Sequence, residues 1–156
     1  MTDNTSDSSG VITIPPIIYL IGLLVGLLID SFYPIGFLPE SVSVWFGVLL
    51  ILAAIPIALF AVLAMKRVET PIDVRKPTTA IVTDGIYRLS RNPMYVSLAV
   101  LYFGIACWVN SLWVLSLVVP VLVVVNRGVI KREERYLERK FGGEYLRYKS
   151  EVRRWI

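Results

Sequence analysis

Apolar residues run along this chain in long blocks, not in two-residue alternation or in narrow helical stripes. The first block spans about 11 or 14 to 29, with Pro15 and Pro16 where a helix tolerates proline, in its first turn. Asp30, Pro34, Gly36, Pro39 and Glu40 then predict a turn. The second block, 42–65, is interrupted only by Pro56, which predicts a kink, and Lys66-Arg67 closes it. Two shorter blocks, 94–109 and 112–125, are separated only by Asn110-Ser111, and Pro120 interrupts the last. A bilayer core takes roughly 20 helical residues, so the first block just suffices and each of the last two is slightly short. A tight helical hairpin is the simplest arrangement for that pair, with a re-entrant pair as the alternative.

The polar stretches complete the plan. Residues 1–10 are small and polar, as in disordered tails, and carry no basic n-region of a secretory signal. Residues 66–93 form a long connector containing Pro71, Pro77 and Asp84-Gly85, and a loop of that length in a small chain is functional or disordered. From 129 the pattern is charged and helical to 141, breaks at Gly142-Gly143 and resumes over 144–152. The expected fold is therefore all-α: a polytopic membrane protein of about four transmembrane helices plus a cytosolic C-terminal amphipathic helix. It divides into a tail (1–10), two N-terminal spans (11–65) and a core of connector, hairpin and C-terminal helix (66–156).

Composition supports the membrane assignment. Of 156 residues, 56% are hydrophobic and 18% charged, against about 45–50% and about 25% in soluble domains. A chain this small cannot hide so much apolar surface in a water-soluble core. Charge is unevenly placed: residues 1–65 hold no Lys or Arg, while the connector holds 6 and the segment from Arg127 onward holds 10. Four crossings put both basic segments on one side, and the positive-inside rule makes that side cytoplasmic, with both termini there. The basic residues flank apolar runs, which points to lipid and not to nucleic acid. The absence of His and the single Cys107 remove Ser-His-Asp and Cys-His nucleophiles, His- or Cys-rich zinc sites and internal disulfides.

Candidate chemistry sits beside the basic segments. Ile130, Glu134, Leu137 and Phe141 share one helical face, which places Glu134 on the apolar stripe of an otherwise solvated helix. It could pair structurally with Arg127, Lys131 or a connector arginine, or it could mark a site. Arg127, at a span end, can also be read as a snorkelling anchor. At 85–95, Gly85 permits a turn and Asn92-Pro93 opens the third span. That span's free N–H groups, with Arg88 and Arg91 beside them, suit a carboxylate or phosphate. Gly22 and Gly26 fit a close helix-packing face, and Trp45, Trp108 and Trp113 an interfacial aromatic belt. Tyr145 and Tyr148 could line a pocket or simply pack.

Two segments taken together resemble a known family. Gly-Ile-Tyr-Arg-Leu-Ser-Arg-Asn-Pro-Met-Tyr-Val at 85–96 is followed, after the apolar pair, by Glu-Glu-Arg-Tyr-Leu-Glu-Arg-Lys-Phe-Gly at 133–142. Glu-Tyr-Leu-Arg-Tyr-Lys-Ser-Glu-Val-Arg-Arg-Trp-Ile closes the chain at 144–156. Over about 70–156 this resembles the integral-membrane methyltransferases of the isoprenylcysteine carboxyl methyltransferase and phospholipid methyltransferase superfamily. Arg91-Asn92-Pro93 and Tyr95 match the Arg-His-Pro-x-Tyr segment, Glu133-Glu134 the acidic pair, and Phe141-Gly142, Tyr145, Tyr148 and Val152 the C-terminal signature. Arg154 matches the Arg of the Val-Pro-Arg ending. Asn92 replaces the family His, and Arg153 stands where Pro is usual.

The resemblance implies S-adenosylmethionine as methyl donor and a lipophilic small-molecule or prenylated acceptor, bearing a carboxylate, thiol or amine. Arg91, Asn92, Pro93 and the third-span N-terminus are expected to grip the donor's amino-acid end, with Tyr87, Arg88, Tyr95, Tyr145 and Tyr148 completing its site. Glu133 or Glu134 is expected to hold cationic or ribose groups or to orient an arginine, and Arg127 or Arg154 to position an anionic acceptor. Glu134 is the candidate base for an ammonium acceptor. Membrane lipids are the surroundings, and a prokaryotic plasma membrane is the expected location. Two alternatives stay open: a non-catalytic protein binding anionic lipid or a partner, and a reductase-like enzyme on the same scaffold.

Overall fold

A computed structural model describes residues 10–11, 13–73 and 76–156. The expectation of a disordered tail at 1–10 lies, but for Gly10, outside the described residues. Among the described residues every regular element is helical and no strand occurs. The elements are α1 (Pro15–Phe32), α2 (Glu40–Arg67), a 3-10 turn (Gly85–Arg88), α3 (Pro93–Trp108), α4 (Leu112–Ser116), α5 (Val118–Val125), a π-helical turn (Asn126–Ile130), α6 (Lys131–Phe141) and α7 (Gly143–Glu151).

Three helices are long and apolar enough to cross a membrane: Pro15–Phe32, Glu40–Arg67 and the 30-residue rod Leu112–Phe141. The apolar α3 is shorter, with 16 residues. The apolar pair at 94–125 thus resolves unequally. Its second arm does not stop near 125 but continues into the charged helix. Pro120 cannot donate a hydrogen bond and crowds the carbonyl four residues back, which accounts for the break at Leu117 between α4 and α5. The π turn absorbs one more residue before α6, a device that reorients the side chains beyond it. Pro56 lies inside α2 without ending it.

Close backbone approach sets the helix packing. α1 packs on α3, α4 and α5, whereas α2 packs on α3. A Cβ on Gly22 would come within 2.4 Å of Val121 Cγ2, and one on Gly26 within 2.8 Å of Val114 Cα, so the expected Gly22–Gly26 face is real. Gly47 is the tightest against backbone, since a Cβ there would meet Trp108 N at 2.4 Å. Gly47→Ala should force α2 from α3 and cost about 1–3 kcal/mol, read as a lower melting temperature in detergent. Gly143→Ala meets nothing within 4 Å and should not.

One end of the bundle is tied by polar contacts. Asn110 Oδ1 accepts from the N–H groups of Phe37 and Leu38 at 3.1 and 3.0 Å, and its Nδ2 donates to Leu38 O at 2.8 Å. Ser111 Oγ donates to Asp30 Oδ1 at 2.7 Å. Trp45 and Trp108 are exposed at this same end, and Trp113 Nε1 donates to Tyr33 O at 2.6 Å. The opposite end carries the connector, α6 and α7.

Candidate functional site

The connector is held over the bundle end by local hydrogen bonds. Thr79 N–H donates to Thr70 Oγ1 at 3.1 Å, and Thr78 N–H to Tyr136 Oη at 3.2 Å, which ties it to α6. Gly85, at φ +61°, turns the chain into the 3-10 turn where Tyr87 is buried. Gly142, at φ +53°, separates α6 from α7 and lets the chain fold back. Tyr148 Oη then donates to Tyr87 O at 2.7 Å, fastening α7 to that turn. Lys149 pairs with Glu138 between α7 and α6.

These elements line a pocket that is partly open to solvent. Its polar wall holds Arg91, Asn92, Glu133 and Glu134, and its aromatic wall Tyr87, Tyr95, Tyr145 and Tyr148. Eight of the twelve candidate residues therefore meet in one place. The apolar wall comes from the end of α2 and the connector, through Met65, Ile72, Ile81 and Val82. Sequence reasoning missed this wall, because an irregular connector has no periodicity to show which side chains turn inward.

Glu134 is the electrostatic centre. It is 5% exposed, and Arg154 grips both its oxygens, Nε to Oε1 at 3.0 Å and Nη2 to Oε2 at 2.6 Å. Arg91 Nη2 lies 3.1 Å from Oε1, with its side chain only 8% exposed. One buried carboxylate thus binds two guanidiniums from segments 43 and 20 residues away in sequence. The Glu134 hydrogen bond pushes the Arg154 pKa above its ordinary value. Arg91 Nε and Nη1 are buried with no hydrogen-bond partner. Buried donors left unpaired are costly, so these two guanidinium nitrogens call for an acceptor. Glu133 differs from its neighbour: its Oε2 accepts from Tyr95 Oη at 2.7 Å. Burial pushes the Tyr87, Tyr145 and Tyr148 hydroxyls well above the ordinary phenol range, which keeps them protonated donors. The Tyr145 and Tyr148 rings also pack edge to face at 6.2 Å.

Four candidates stand elsewhere. Pro93 is fully buried as the first residue of α3. Arg154 lies behind Glu134, outside the cavity lining, with its guanidinium committed to that carboxylate. Arg88 is exposed and pairs with Asp84 at 3.0 Å, away from the cavity. Arg127 is exposed on the π turn and does not reach the site. Adjacent sequence position suggested both, but the rotation of the helix turns Arg127 outward and the i,i+4 partner captures Arg88. Beside the cavity, an apolar groove runs between Pro15 and Pro16 of α1 and Ala58 and Val62 of α2, and shares Ile72, Met94 and Tyr95 with it. No group of three or more metal-ligating side chains occurs among the described residues.

The phospholipid methyltransferase family matches residues 42–144, from α2 through the start of α7, which includes Arg91, the acidic pair and the connector. A stretch of 64 residues is 48% identical to an uncharacterized protein of Haemophilus influenzae, covering 40% of this chain and all of that protein. The chain belongs to the phospholipid methyltransferase family, within the isoprenylcysteine carboxyl methyltransferase-like superfamily of membrane methyltransferases.

Proposed function

We propose that the cavity binds S-adenosylmethionine and that the protein transfers its methyl group to a nucleophile on a lipophilic acceptor. The observation that carries this reading is the buried pair of unpartnered Arg91 donors on a wall shared with Glu133 and four tyrosines. The residues fit the donor's chemistry. Arg91 Nε and Nη1 offer a charge-assisted fork to its carboxylate. Glu133, holding only a neutral tyrosine hydroxyl, suits its cationic end, and the Tyr87 and Tyr145 rings offer faces to cation or base. When bound, the donor supplies a methyl carried on a sulfonium, which moves to the acceptor's lone pair as the carbon–sulfur bond breaks and a neutral thioether leaves.

That displacement asks the protein for alignment more than for proton chemistry. Arg154 and Arg91 engage both oxygens of Glu134, a less open position for taking a proton from an ammonium acceptor than that of its neighbour. Glu133 is that neighbour, the carboxylate better placed to take such a proton. The groove between α1 and α2 faces the surrounding lipid and meets the cavity at Met94 and Tyr95, a route for an apolar tail. The basic segments at the cavity end favour a cytoplasmic location for that end. The bacterial relative is in keeping with a prokaryotic plasma membrane.

The test is transfer of labelled methyl from S-adenosylmethionine by detergent-purified protein. Three acceptors are offered: a prenylated cysteine, a phospholipid amine and an isoprenoid acid. Label should enter the organic phase with one of them. Label in none of them, and none in a total membrane lipid extract, would contradict the proposal.

A further inference from the structure

Beyond α7 the chain becomes extended at Val152, φ −119° and ψ 135°, and runs as a strap beside residues 90–92. Arg91 N–H donates to Arg153 O at 2.9 Å. Ser90 Oγ donates to Arg154 O at 3.2 Å, and Asn92 Nδ2 donates to the same carbonyl at 2.9 Å. The Arg154 side chain forks onto Glu134, and Trp155 packs against the apolar core formed by α1, α3 and α5. Asn92 is 9% exposed and lines the cavity, and one of the two N–H groups of its Nδ2 is given to the strap.

We propose that Asn92 is a positioning residue, the catch that holds the strap in register and acts on the donor site through Arg154 and Arg91 without touching the donor. This rests on reading the cavity as the donor site. Moving an extended strap by one residue displaces Arg154 by about 3.3 Å, enough to break a two-bond fork whose distances are 3.0 and 2.6 Å. Glu134 would then have Arg91 as its one close countercharge. Arg91, now 3.1 Å away through Nη2 alone, would turn its remaining donors from the cavity toward the carboxylate. Asn92 therefore governs how many Arg91 N–H groups stay available.

The test compares Asn92→Asp with Asn92→His in the full chain, in detergent. Aspartate keeps the shape, has no N–H and sets a carboxylate against a carbonyl oxygen. Histidine keeps a ring N–H donor. For Asn92→Asp, trypsin cleavage after Arg153 and Arg154 should rise about tenfold and S-adenosylmethionine affinity should fall about tenfold, at unchanged helix content. Asn92→His should recover much of both. Ser90→Ala, which removes the second bond to the same carbonyl, should shift both readouts in the same direction by less, and it supplies the test if Asn92→Asp does not fold. Weakened donor binding with the strap as protease-resistant as in the unmodified protein would make Asn92 a direct ligand and overturn the proposal. No change in either readout would overturn it too. If the unmodified protein binds no donor, cleavage still reports the catch, and only the donor-site reading falls.

Discussion

Glu134→Gln is expected to slow methyl transfer by at least about a hundredfold and to lower the melting temperature, because glutamine leaves two guanidiniums without their shared countercharge. Removing one partner of a buried ion pair costs roughly 3–5 kcal/mol. The two arginines do not lose equally. Arg154 is 30% exposed and water recovers part of its loss, whereas Arg91 at 8% is recovered hardly at all. Arg91 also lines the cavity and carries the two unpaired donor nitrogens, so the damage falls on donor placement as well as on stability. Initial rates of labelled methyl transfer and thermal unfolding in the same detergent check this. A variant as active as the unmodified protein would remove Glu134 from the site.

Arg91→Lys separates charge from geometry. Lysine keeps a cation that can stay on Glu134, so the fold should persist with a melting temperature close to that of the unmodified protein. It cannot present a planar fork, and the two donors now unpaired disappear. S-adenosylmethionine affinity should fall roughly 10–100-fold, the loss of a charge-assisted two-point contact. Calorimetric titration measures it. Unchanged affinity would mean that the carboxylate of the donor is held elsewhere.

The apolar blocks, the Gly22–Gly26 packing face and the break at Gly142 were legible because each has a local physical cause: block length, a missing Cβ, a positive φ. The inward face of Glu134 was legible from helical spacing. Its partners were legible in part. A connector arginine was among those expected, and Arg91 is that partner, whereas Arg154 takes the place of Arg127 or Lys131 because the strap folds back onto α6, a return no periodicity encodes. The π turn at Asn126–Ile130 is equally silent in sequence, since Asn-Arg-Gly-Val-Ile continues an α-helical pattern without a visible insertion. Asn92 illustrates the same limit. Its residue type allowed a donor ligand, and only the placement of Arg154 O shows what its amide holds.

The central claim is that the cavity between connector, α3, α6 and α7 is a methyl-donor site. Its most direct test is calorimetric binding of S-adenosylmethionine to detergent-purified full-length protein whose helix content and cooperative unfolding have been verified. The account predicts saturable binding at one site per chain, weakened at least about tenfold in Arg91→Lys. Folded protein that shows no saturable binding would contradict it.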